Sequence, residues 1–484
     1  MTQTQRKPSP YPELGLVIAG NFTFAENRNT IKVFNPTTGD ILGMLPVATE
    51  NDVDTSLSEA WNGFLTWSSM SAIDRGNILH KAARLMREDK ENLADLITYE
   101  LGKPYFSESL PEIEQAAGMF EWYAEEGRRS YGRVIPSRDG SDQFSYREPV
   151  GPIAAFSSWN APSVTPSRKI AGALAAGCSV ILKGSEETPA TTLAIARYLE
   201  KAGLPKGVVS VLFGDPLMIS EKLLTSDIIR GVTFTGSTYV GRQLASKAVY
   251  HMKRPIFELG GHAPVLIFDD IDIEKTAKAA VTAKYRNSGQ ICTCPTRFLI
   301  QDSIFEAFTD VFTSITKEIV LGDGFNPATQ MGPLGNKSRI PAIEKFIEDA
   351  HARKITITTG GKRHGDKGYF FEPTVMKNVP LDAMAHNVEP FGPLAVMTKF
   401  PTIDDALTIA NRLPFGLASY VFTNDINTAK KASKELQAGN VIINHWRVSY
   451  PETPFGGVQD SGLGNEGGIE GLQAFQNIKY VSHK

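Results

Sequence analysis

The sequence predicts an α/β protein built on a doubly wound parallel sheet, and three observations carry that expectation. Short β-rich runs alternate with helical runs from about Arg147 to Ile267. A second α/β series follows from about Gly261 to Asn444. Gly- and Pro-rich punctuation at 322–327, 360–368 and 390–393 separates its elements.

The elements follow in order. Residues 150–157 read as a strand, and the helical run 164–176 ends at Gly177. Strand 180–183 and helix 191–202 come next, then strands at 208–213, 228–235 and 255–258, with helices at 217–224 and 240–249 between them. Strands separated by helices of this length imply parallel βαβ crossovers, and ligands of such sheets bind at the strands' carboxyl ends. The second series has helices at 273–285, 304–319 and 340–352. The stretch 128–148 is β-capable but interrupts the alternation, and so reads as an excursion from the first domain. Ile478-Lys479-Tyr480-Val481 alternates apolar and polar residues and suits an arm laid on a neighbour, since exposed strand edges are usually covered.

At 484 residues the chain exceeds one ordinary core, so two or three domains are expected. A hydrophobic fraction of 42% and a charged fraction of 21% are those of a water-soluble globular protein. The net charge of −3 gives no electrostatic case for nucleic acid or an anionic membrane. The polar run from Met1 to Lys7 lacks the apolar core of a signal peptide. The apolar run 170–182 is broken by Gly172 and Gly177 and falls short of the about 20 residues that span a bilayer. Three cysteines make no disulfide framework, and the eight histidines show no metal-ligand spacing. A reducing cytoplasm is the expected setting.

Tyr285-Arg286-Asn287-Ser288-Gly289-Gln290-Ile291-Cys292 sets a cysteine just after a Gly-Gln pair. An acidic partner stands upstream in Glu258-Leu259-Gly260-Gly261. Thiolate is the strongest nucleophile a protein has near neutral pH, and a carboxylate can activate the water that releases a thioester. A glycine nearby frees backbone amides for a developing oxyanion. Taken singly, Cys292 also reads as a buried structural cysteine, and Glu258 as a solvated strand end.

Further signatures agree in order: Asn35-Pro36-Thr37-Thr38-Gly39, Ser158-Trp159-Asn160-Ala161-Pro162, Lys183-Gly184-Ser185-Glu186, Phe234-Thr235-Gly236-Ser237, Glu389-Pro390-Phe391-Gly392-Pro393 and Pro454-Phe455-Gly456-Gly457. With the Cys292 and Glu258 runs, they resemble the NAD(P)-dependent aldehyde dehydrogenase superfamily from near residue 30 to the C-terminus. The resemblance implies a Rossmann-type cofactor domain (1–127 and 149–259) and an α/β catalytic domain (260–444). It also implies a small β oligomerisation element (128–148 and 458–484), giving a homodimer or homotetramer.

By the same resemblance Cys292 is the nucleophile, Asn160 the oxyanion donor and Glu258 the general base for thioester hydrolysis. Asn160 alone would also read as a turn residue before Pro162. The Glu258 carboxylate also separates the chain from CoA-acylating relatives. The cofactor contacts implied are Trp159, Lys183, Glu186, Ser237, Glu389 and Phe391. No convincing Gly-x-Gly-x-x-Gly follows the first strand; Gly236-Ser237-Thr238-Tyr239-Val240-Gly241 instead opens a helix that can face a pyrophosphate. Glu186 suits a ribose 2′-OH and repels a 2′-phosphate while Lys183 pulls the other way, which favours NAD and leaves NADP open.

Within the superfamily, Arg286, Arg168 and Ser449 match the pocket of succinic semialdehyde dehydrogenases, where guanidinium groups hold the distal carboxylate. Two other readings stand beside this one. Arginine at the Arg168 position also occurs in relatives acting on aromatic aldehydes, and Arg286 could pair with an acid inside the protein. The loop His445-Trp446-Arg447 and Tyr450 is bulkier than a small semialdehyde requires, which admits an aromatic or aliphatic uncharged aldehyde. Pro390, Gly184, Gln459 and Asn465 depart from the family's usual residues, and Cys292 with Cys294 could form an oxidative bridge.

Overall fold

Ile153–Phe156 is buried along its whole length, as befits a strand covered by helices on both faces. It lies at the centre of an eight-stranded sheet. In spatial order the strands are Asn21–Thr23, Leu16–Ile18, Val209–Leu212, Val180–Lys183, Ile153–Phe156, Gly231–Thr235, Arg254–Glu258 and Gly462–Leu463. The middle five run parallel; the amino-terminal hairpin and Gly462–Leu463 close the edges antiparallel. The computed structural model describes residues 8–484, so the polar run Met1 to Lys7 lies outside the described residues.

The chain leaves Ile153–Phe156, fills one side of the sheet through residue 212, then crosses to Gly231–Thr235 on the other side. Order reverses there, and the crevice beyond the carboxyl ends of these two strands is where such sheets bind ligands. Helix Val164–Ala176 stops as its sequence foretells, with Gly177 at φ 98°, a left-handed cap that a Cβ would disfavour. Helices Glu50–Ser69, Ala72–Glu88, Lys90–Leu101 and Leu110–Gly127 cover the same core. Thr49 and Asp52 form a reciprocal capping box at the start of the first of these.

The second large sheet has seven strands in the order Thr356–Thr359, Thr374–Lys377, Leu394–Phe400, Pro295–Gln301, Ala263–Ile267, Ala418–Phe422 and Asn440–Ile443. All neighbours are parallel except the first pair. A three-stranded sheet stands apart, with Asp142–Pro149 between Arg133–Ile135 and Gln476–His483. The excursion and the carboxyl-terminal arm thus pair with each other inside one chain. Of the stretch 458–484, Val458–Gln459 pairs with Phe415–Gly416 and Gly462–Leu463 joins the first large sheet, while helix Gly468–Ala474 packs on Val164–Ala176. Among the described residues no helix is long and apolar enough to cross a membrane, and no group of His, Cys, Asp and Glu could hold a metal ion.

Candidate active site

Glu258 ends a strand of the first sheet, and Cys292 precedes strand Pro295–Gln301 of the second, so the meeting of the two sheets brings them together. A cavity of about 1650 Å³ opens at this junction. Its wall includes Trp159, Asn160, Arg168, Ser237, Glu258, Arg286, Cys292, Glu389, Phe391 and Ser449. Ten of the residues singled out from sequence therefore face one space. The other two, Lys183 and Glu186, stand off that wall, where the ammonium pairs with the carboxylate at 2.7 Å and Glu186 accepts the Gly214 N–H at 2.9 Å.

The turn before Cys292 is tightly determined. Asn287 and Ser288 hold left-handed φ values of 49° and 54°, which non-glycine residues keep only where their surroundings fix them. The Asn287 N–H donates to Glu108 at 2.8 Å, and its side-chain amide donates to the carbonyls of Asn160 (3.0 Å) and Gln290 (3.1 Å). Ser288 Oγ donates to the Gly332 carbonyl at 2.7 Å. Asn160 Nδ2 donates to the Gln290 carbonyl at 3.0 Å, and its Oδ1 accepts from Ser158 Oγ at 2.7 Å. An amide nitrogen has two N–H groups, so one remains for a further acceptor.

Cys292 is half-buried, and its thiol is hydrogen-bonded to Glu258. Burial first, then the neighbouring Glu258 charge, pushes the thiol well above its usual pKa. Burial also raises Glu258, to about 6, against the hydrogen bond from Cys292 and the charges of Lys169 and Arg168. Its Oε1 is buried without a hydrogen-bond partner, which leaves lone pairs for a small polar molecule. A carboxyl titrating near neutrality and able to receive a proton has the properties of a general base.

The crevice fits a dinucleotide. Helix Thr238–Tyr250 begins at its rim, with Ser237 Oγ capping the Val240 N–H at 3.4 Å. Thr235 Oγ1 lies on the cavity wall, buried and unpartnered. Gly260 runs so close to Glu389 that a Cβ there would sit 2.6 Å from Oε2. Glu389 accepts the Gly261 N–H at 3.2 Å, and burial pushes its carboxyl up to about 8, as suits a group awaiting hydroxyl donors. Phe391, at φ 44°, meets Trp159 edge-on at 5.6 Å while Arg339 donates to the Pro390 and Phe391 carbonyls at 2.7 and 3.1 Å.

The arginines differ. Arg168 is buried and already engaged: it donates to Ser449 Oγ at 2.8 Å, lies 3.8 Å from Glu466 and stacks 4.5 Å over the Phe455 ring. Arg286 is exposed on the cavity wall and has no ion-pair partner among the described residues. Burial raises the Glu108 carboxyl, and the Arg286 charge acts against that rise from beyond ion-pair distance. Arg447 also borders the cavity and stacks 3.9 Å over Tyr450. Trp446 packs on Tyr420 and Phe422 at 5.2 and 4.4 Å. The three cysteines are free, and Cys294 Sγ accepts from the buried Lys284 at 3.2 Å.

Several residues escaped the sequence reading. Glu466 pairs with Lys169 and accepts from Thr233 Oγ1 at 3.0 Å, and both cations keep its carboxyl below the usual range against burial. The available signal was the Arg168-Lys169 pair inside an otherwise uncharged helix, which demands a buried acid somewhere. Lys103 was missed as well. It is 5% exposed and bonds Glu112 at 2.6 Å and the Asn160 carbonyl at 2.7 Å.

Comparison with known proteins agrees with this geometry. Residues 22–481 match the aldehyde dehydrogenase family. The 4-(hydroxymethyl)benzenesulfonate dehydrogenase of Comamonas testosteroni is 41% identical over 97% of this chain and 98% of its own. The succinate semialdehyde dehydrogenase of Acinetobacter baylyi is 38% identical over 96% of both. The aldehyde dehydrogenase of Bacillus cereus in complex with NAD+ superposes with a TM-score of 0.95 at 32% identity, covering 98% of this chain and 97% of that one. The chain belongs to the aldehyde dehydrogenase family and is an NAD(P)-dependent enzyme that oxidises an aldehyde to a carboxylic acid.

Proposed function

We propose that this enzyme oxidises an aldehyde carrying a distal carboxylate, succinic semialdehyde being the simplest, and that it prefers NAD. The observation that supports the substrate reading most is Arg286: an exposed guanidinium on the cavity wall that makes no ion pair among the described residues. An unpaired guanidinium there can take a carboxylate through two parallel hydrogen bonds. Arg168 and Ser449 line the same cavity, the arginine donating to the serine at 2.8 Å. The succinate semialdehyde dehydrogenase relative agrees with this class.

In the proposed mechanism the Cys292 thiol loses its proton to solvent in the cavity, and the thiolate Sγ attacks the aldehyde carbon to form a thiohemiacetal. The new oxyanion takes the free N–H of Asn160, fixed in advance by the Gln290 and Ser158 bonds, and the Cys292 backbone N–H. Ser237, Trp159, Glu389 and Phe391 hold the pyrophosphate and nicotinamide half of the cofactor, and Lys183 with Glu186 the adenosine ribose. The bound nicotinamide supplies the acceptor for the hydride that the aldehyde carbon loses. Glu258 then removes a proton from water as that water attacks the thioester, which frees the acid and restores the thiol. The preference for NAD rests on Glu186, whose carboxylate repels a 2′-phosphate.

A second reading has its own observation. Trp446, fixed against Tyr420 and Phe422, gives the cavity an aromatic wall, and the Comamonas relative's printed activity is on a benzenesulfonate. An aromatic aldehyde is therefore the alternative substrate.

The enzyme works as a cytoplasmic homodimer or homotetramer. Tyr239, Tyr250 and Met252 support self-association: they are 73%, 83% and 89% exposed on or next to helix Thr238–Tyr250. The test of the substrate reading is NADH production with succinic semialdehyde, benzaldehyde and hexanal in wild type and Arg286→Ala. A preference for the carboxylated substrate that the substitution abolishes is expected. Equal turnover of the neutral aldehydes in both proteins would overturn it.

A further inference from the structure

We infer that Lys103 is a positioning residue for the oxyanion donor, acting through the main-chain carbonyl of Asn160. The inference rests on the proposed role of Asn160. A side-chain donor stabilises a transition state only as far as it is fixed before charge develops. Asn160 is held on three sides: Ser158 fixes Oδ1, Gln290 accepts from Nδ2, and the main-chain carbonyl receives Lys103 Nζ at 2.7 Å and Asn287 Nδ2 at 3.0 Å.

The ammonium on that carbonyl is itself built in. Lys103 and Glu112 are 5% and 9% exposed, and Glu112 Oε1 accepts the N–H and the Oγ of Ser163, both at 3.0 Å. One carboxylate thus braces the start of helix Val164–Ala176 and the lysine together. The main chain at Lys103 is wedged against Gly324, where a Cβ would stand 2.2 Å from the Lys103 carbonyl oxygen. The neighbouring Tyr105 N–H donates to the Gly324 carbonyl at 2.9 Å. Lys103 therefore reaches Asn160 from a fixed backbone. It also borders the cavity. A buried pair this well satisfied is costly to break by one partner alone, and a neutral partner for both ends is the cleaner perturbation.

The test is a double-mutant cycle on the full-length enzyme with NAD and succinic semialdehyde. Lys103→Met combined with Glu112→Gln removes the charge pair and keeps volume and the Ser163 contacts. Tm and the KM for NAD report whether the fold and cofactor site survive. The expected result is a fall in kcat of about tenfold or more with that KM unchanged. In an Asn160→Ala background the same pair of substitutions should cost less than about twofold, because the group it positions is gone. An equal loss in both backgrounds, or no loss in either, would overturn the inference while leaving the Asn160 role intact. If Asn160→Ala itself leaves kcat unchanged, the proposed role of Asn160 fails, and this inference with it.

Discussion

Glu258 and Cys292 share a hydrogen bond across the junction of the two large sheets, a thiol from one and a carboxylate from the other.

Replacing Glu258 by Gln keeps the size and removes the proton acceptor. Thioester hydrolysis is expected to slow by about 10²–10⁴-fold. Rapid-mixing kinetics should then show a burst of NADH near one per site, followed by slow turnover. A steady rate equal to wild type would assign the base elsewhere.

The acid limb of the rate profile follows from the same carboxyl. Burial holds it at about 6, so below that pH it is protonated and cannot accept a proton. Under single-turnover conditions for hydrolysis, the rate should rise with pH through about 6 and level above it. Glu258→Gln should erase this limb.

Arg286 and Arg168 should behave differently although both border the cavity. Arg286→Ala is expected to raise KM for succinic semialdehyde roughly tenfold to hundredfold and leave Tm near wild type, since the side chain is exposed and makes no ion pair among the described residues. Arg168→Ala removes a contact to Glu466 and the Phe455 stack, so it should lower Tm as well. Calorimetry beside kinetics separates the two.

Gly260→Ala tests the crevice directly. The added Cβ would stand 2.6 Å from Glu389 Oε2, so the carboxylate must swing away. A raised KM for NAD with Tm almost unchanged is expected. An unchanged KM would show that Glu389 is not needed for cofactor binding.

Much of the fold was legible because its signals are local. Helix Val164–Ala176 and strand Val180–Lys183 announce themselves by an apolar run, a Gly177 stop and a β-rich restart. The amino-terminal hairpin Leu16–Thr23 was not legible: its strands have three residues each, and they are fixed by pairing with each other and, for the first, with Val211. Gly462–Leu463 is shorter still and has no periodicity to read. In the site, the sequence pointed to Cys292, Glu258 and Asn160 through their motifs. What Arg168 touches depends on Glu466 and Ser449, which lie far along the chain, so its engagement inside the protein appears only once the fold is closed.

The edge pairing of Gly462–Leu463 with Phe257 and Glu258 has a consequence for the order of folding. Behind Glu258, Lys169 and Glu466 form an ion pair between positions 297 residues apart in sequence. Bringing such distant segments together costs chain entropy before it gains a contact, so pairings of this range close after the local ones. The Glu258 carboxylate therefore gains its final surroundings late in folding, after the strand that carries it has formed.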